Sequence, residues 1–148
     1  MNRAELLAFL REQRYAVEAS VSAVGQPQAA VVGVVVTDEF EIVFDTLGTT
    51  RKMANLRANP RIALAIGSLQ AGEERGVQYE GLADEPRGVE LARVQELYFA
   101  KFPEGRARLA WPGITYVRVR PTWLRYSDYG RSEPLILEFT AGQLASLG

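Results

Sequence analysis

FDTLGTTRKMANLRANPRIAL, Phe44 to Leu64, is the stretch on which the reading of this chain turns. Its first residues close an apolar run of strand type, EIVFDT, after which Met53 and Leu56 recur at helical spacing. Asn59-Pro60 ends that short helix, because the proline ring pushes its predecessor out of helical geometry. RIALAIG then restarts a strand, with Ile62, Leu64 and Ile66 on one face and Ala63, Ala65 and Gly67 on the other. The small face leaves room for a close neighbour. Thr49 or Thr50 is the predicted N-cap, which sets Arg51 and Lys52 in the first helical turn. Cations there oppose the helix macrodipole at roughly 0.3–1 kcal/mol each unless an anion faces them. With an anion in place, free amides, threonine hydroxyls, a guanidinium and an ammonium converge on it. The competing reading is a solvated pair whose aliphatic stems cover apolar neighbours.

Outward from this segment the signals are mostly β. Asn2 and Glu5 have capping-box spacing ahead of Leu6, Leu7 and Leu10, which predicts a short N-terminal helix. YAVEASVSAV alternates, Gly25-Gln26-Pro27 turns, and AAVVGVVV reads as a strand buried on both faces. GVQYEGLAD is a further strand, and 87–102 is an amphipathic helix carrying Leu91, Val94, Tyr98 and Phe102. GITYVRVRPTWLRYSDY is a long final strand whose Pro121 belongs at an edge or a bulge. Arg118 and Arg120 alternate on one of its faces, read as solvated, and the nearby aromatic residues read as core. The expected fold is mainly β: an antiparallel barrel of about six strands, with a short N-terminal helix and two further helices, in one domain spanning 1–148.

Composition narrows the chemistry. The chain has 148 residues and neither cysteine nor histidine, which removes disulfides, thiol catalysis, sulfur-based zinc sites and the commonest acid–base group. Seventeen basic against 18 acidic residues give a net charge of -1, so no whole-molecule field draws it to nucleic acid or to a membrane surface. No apolar run has the length of a membrane span or the form of a signal peptide. The expectation is a soluble, cytoplasmic protein with no metal site.

The order VVGVVV, IVFDT, TTRKMANLRANPRIAL, VQYEGLADE and YVRVRPTWLRYSDY, within Tyr15 to Tyr129, resembles the pyridoxamine 5'-phosphate oxidase-like family of FMN-binding split barrels. The resemblance implies that Arg51 and Lys52 grip the flavin phosphate and that Thr46 and Thr50 supply neighbouring hydroxyls. Asp45 takes the strand-end position beside the ring. Val32, Gly33, Val34 and Val35 lie along the isoalloxazine, with Gln78 a displaced candidate to reach it. The resemblance also implies a homodimer with the cofactor at the subunit interface, where Ser127, Asp128 and Tyr129 face it from the partner chain. Two family charges are missing, at Ala30 and Val35, and no histidine is present for the vitamer phosphate, which argues against a true pyridoxamine phosphate oxidase. The function implied is a flavin-dependent oxidoreductase acting on a small molecule. Alternatives are an F420-binding reductase of the same fold and a non-enzymatic flavin-binding or stress-related protein. A barrel that has lost its cofactor is disfavoured by the Arg51-Lys52 pair, and haem degradation by the lack of an axial histidine.

Overall fold

A computed structural model describes residues 1–148. Helix α1 (Arg3–Glu12) opens on the capping box read from the sequence: Asn2 Oδ1 accepts from the Glu5 amide at 2.9 Å, and Glu5 Oε2 accepts from the Asn2 amide at 2.7 Å. Eight strands form one antiparallel sheet: β1 (Tyr15–Val21), β2 (Pro27–Gly33), β3 (Val35–Val36), β4 (Ile42–Leu47), β5 (Arg61–Gly67), β6 (Arg75–Asp84), β7 (Ile114–Asp128) and β8 (Leu135–Thr140). The helices are α1, α2 (Arg51–Ala58), α3 (Gly88–Lys101) and α4 (Ala141–Ser146), with a 3₁₀ segment over Pro103–Ala110. The strand count exceeds the expectation because AAVVGVVV breaks at Val34 and because β8 follows the last strand foreseen.

The strands run in the order β2-β1-β5-β6-β7-β4-β3, with β8 added to β7. The two ends of that order are separated in sequence by Val34 alone, so the sheet curls until its ends meet at a kink. Contrary to the expectation, the β2 part of the kinked strand is not buried on both faces. Val32 lies in the core, whereas Val31 is 67% exposed.

β7 is the spine of the sheet. One edge pairs with β6, and the other pairs first with β4, over Ile114 to Val119, and then with β8, over Trp123 to Asp128. Pro121, which cannot donate a ladder hydrogen bond, falls in the gap between those two partners. The β6 ladder shifts register opposite it, between Glu80 and Gly81. Gly81 is required at this bulge, since a Cβ there would lie 2.4 Å from the Arg120 carbonyl oxygen.

Alternation assigns the two faces. Ile42 and Phe44 join the barrel core with Leu6, Leu10, Met53, Leu64 and Tyr79, while Val43 and Tyr116 point outward and are covered by Val94, Tyr98, Phe99 and Phe102 of α3 and its end. Arg118 is not solvated: it is 6% exposed and paired with Asp84 and Glu90 at 2.9 and 2.8 Å. The guanidinium is tolerated there because these two carboxylates receive it. No helix is long and apolar enough to cross a membrane.

Candidate functional site

The site grows from the join between β4 and α2. Thr50 stands at the N-cap, but its hydroxyl donates to the Leu47 carbonyl at 2.9 Å and does not cap the helix. The amides of Arg51, Lys52 and Met53 therefore have no intrahelical acceptor and no capping side chain. Lys52 Nζ donates to Thr46 Oγ1 at 3.2 Å, and the Thr46 and Thr50 hydroxyls lie 3.4 Å apart. Neither Arg51 nor Lys52 makes an ion pair, although most other arginines of the chain do. Two cations, unused amides and hydroxyls thus border one cleft of about 370 Å³.

The opposite wall comes from β1 and β2. Glu18, Ser20, Gln28 and Ala30 share a face, because Glu18 registers with Ala30 and Ser20 with Gln28. Asn55 of α2 clamps this wall, donating to Ser20 Oγ at 3.0 Å and to Gln28 Oε1 at 2.9 Å. Glu18 is 1% exposed, and its Oε2 has no hydrogen-bond partner. Burial pushes its carboxyl above the ordinary range, and the Lys52 charge pulls it back.

The remaining sequence candidates do not gather in this cleft. Asp45 points to the other face of β4 from Thr46, where Arg108 Nε donates to it at 2.7 Å and the Tyr98 hydroxyl at 2.9 Å. Burial, and next the Asp45 charge, raise the Tyr98 hydroxyl well above its ordinary range. The side chains of Val32, Val34 and Val35 are buried, and the Phe102 ring lies against Gly33. The Val34 amide donates to the Arg14 carbonyl at 3.1 Å. Gln78 and Tyr129 line a separate hollow with Ser127 on the uncovered outer face of the sheet. Of the eleven positions marked by the sequence, Thr46, Thr50, Arg51 and Lys52 meet in one place. Glu18 was missed by the sequence reading, although alternation in YAVEASV sets it in phase with buried Ala16 and Ser20.

The family model described as pyridoxamine 5'-phosphate oxidase matches residues 3–128. No curated protein is a significant match to this sequence. Among solved structures, the heme binding protein from Mycobacterium smegmatis is 20% identical with a TM-score of 0.81; the alignment covers 98% of this chain, which spans 59% of that one. HutZ, the heme storage protein from Vibrio cholerae, is 16% identical with a TM-score of 0.72, over 92% of this chain and 95% of that one. A pyridoxamine 5'-phosphate oxidase-related FMN binding protein from Nostoc punctiforme is 13% identical with a TM-score of 0.68, over 93% and 87%. At these identities the likeness is one of fold.

Proposed function

This chain belongs to the pyridoxamine 5'-phosphate oxidase family, and on that premise we propose that it is an FMN-binding, oxidoreductase-like protein that holds the cofactor phosphate in the cleft at the start of α2. The observation that carries this reading is the pair Arg51 and Lys52, free of ion pairs beside the uncapped amides of that helix. A dianion there offsets both charges and receives the free N–H groups. The residues present fit such a group: Arg51 offers a forked donor, Lys52 an ammonium steadied by Thr46, and Thr50 a hydroxyl. When bound, a flavin supplies hydride transfer to or from a small molecule.

A homodimer fits the same reading. The sheet face formed by Val17, Ala19, Val31, Ala63, Ala65 and Trp123 has no helix over it, and its three alanines allow a second copy to approach closely. Gln78 and Tyr129 lie on that face, which supports a role for them toward a cofactor held by the partner in such a dimer. Val35, where the family's substrate-gripping lysine is expected, is 2% exposed and packed with Tyr98 and Phe99, which speaks against oxidation of pyridoxamine phosphate. The haem-binding neighbours share the fold, but this chain has no histidine or cysteine to serve as an axial ligand.

Titration with FMN and, in parallel, with F420 tests the assignment. Loss of two charge-assisted contacts in the Arg51→Ala/Lys52→Ala variant weakens FMN at least about a hundredfold, with the fold unchanged. Unaltered FMN affinity in that variant refutes the phosphate site. Tighter binding of F420 than of FMN replaces the cofactor but keeps the cleft.

A further inference from the structure

The cleft carries a group that a simple phosphate cradle does not need. Glu18 sits on its β1 wall, almost fully buried, with an oxygen that accepts from nothing. A carboxylate placed so loses its hydration with no hydrogen bond in return and only the nearby Lys52 charge to offset the loss, a cost that folding tolerates where a donor arrives later. No donor of the chain reaches that oxygen. Asn55 gives its amide hydrogens to Ser20 and Gln28, and the Lys52 ammonium is hydrogen-bonded to Thr46. The negative charge also subtracts from the two cations opposite, so Glu18 weakens the attraction of the cleft for a bare inorganic anion.

We infer that Glu18 is a second recognition element of this cleft, its carboxylate accepting a hydrogen bond from a hydroxyl of a ligand whose phosphate lies at Arg51 and Lys52. The cleft is thereby selective for phosphate monoesters of a polyol or sugar over inorganic phosphate. This inference rests on the cleft as an anion site, which the proposed function shares, but it does not require a flavin ring. The ester phosphate occupies the cationic end, and the adjoining hydroxylated chain runs toward β1 and meets the buried oxygen. Ser20 and Gln28, held by Asn55, keep the wall in place around it.

The two roles of Glu18, acceptor for the ester and repeller of the bare anion, make its removal act with opposite signs. Affinities of the full chain for inorganic phosphate, ribose 5-phosphate and FMN are measured by calorimetry, in wild type and in Glu18→Leu and Glu18→Gln. Glu18→Leu is expected to weaken ribose 5-phosphate and FMN roughly ten- to a hundredfold, the worth of a hydrogen bond to a charged acceptor, while inorganic phosphate binds more tightly. Glu18→Gln, which keeps the shape and one acceptor oxygen, guards against a folding defect: it tightens inorganic phosphate and loses less of either ester. If all three ligands tighten together, Glu18 is only a countercharge; if none responds, it is only core; either result overturns the inference. Ribose 5-phosphate responding as described while FMN fails to bind wild type sustains the inference and refutes the flavin assignment.

Discussion

Replacing Asp45 by Ala separates two roles that the sequence alone leaves merged. The carboxylate receives Arg108 Nε at 2.7 Å and the Tyr98 hydroxyl at 2.9 Å, and the side chains of the ion pair are 12% and 22% exposed for Asp45 and Arg108. The pair is thus too enclosed for the near-zero value of surface bridges and too open for a fully buried one. Two lost hydrogen bonds to a charged acceptor, discounted for that partial exposure, destabilise the domain by about 2–4 kcal/mol. At roughly 4 °C per kcal/mol for a domain of this size, Tm falls by about 8–16 °C. Arg108→Ala produces a similar fall, and the double variant loses less than the sum. FMN affinity, titrated well below Tm, stays at the wild-type value, because Asp45 and Thr46 leave β4 on opposite faces. A variant with unchanged Tm and weakened FMN binding refutes this account and returns Asp45 to the cofactor.

Gly81→Ala drives a Cβ to within 2.4 Å of the Arg120 carbonyl and forces the bulge opposite Pro121 to open; a loss of at least about 1–3 kcal/mol is expected in denaturant unfolding. Lys101 donates to the carbonyls of Gln13 and Val34, and burial, followed by the Arg14 charge, lowers its ammonium pKa to about 8. The unfolded chain holds that proton to about pH 10.4, so it binds more protons than the folded chain above pH 8. Stability therefore rises with pH from about 8 to 9.5, before the tyrosines titrate. Lys101→Met abolishes that slope in urea unfolding measured across the window.

Much of this fold was legible. The capping box of α1 and the stop at Asn59-Pro60 rest on local stereochemistry, and both elements stand where the residues put them. An edge or a bulge is what Pro121 predicts, since a missing N–H has few places to go in a sheet, and it stands opposite the β6 register shift at Gly81. The break at Val34 was hidden because AAVVGVVV contains only apolar side chains and Gly33; its cause is tertiary, the meeting of the two ends of the sheet. β8 did carry a signal, the alternation of LILEFT ahead of the Thr140–Gln143 capping box, which went unread. Within the site, Arg51 and Lys52 were conspicuous through their conflict with the helix dipole. Glu18 was not, because its face of β1, Ala16, Glu18 and Ser20, is the more polar one and reads as solvated, and only the packing of α2 against β1 makes it a cleft wall.

The position of β7 governs how this chain must come together. It supplies neighbours to β4, β6 and β8, and it begins at Ile114, so β4 and the second edge of β6 wait for partners some 30 to 70 residues downstream. A nascent chain emerging from the ribosome exposes those open edges until Asp128 has been made. The window for erroneous strand association is widest just before synthesis of β7, and slowing translation ahead of Ile114 should lower the yield of correctly folded protein.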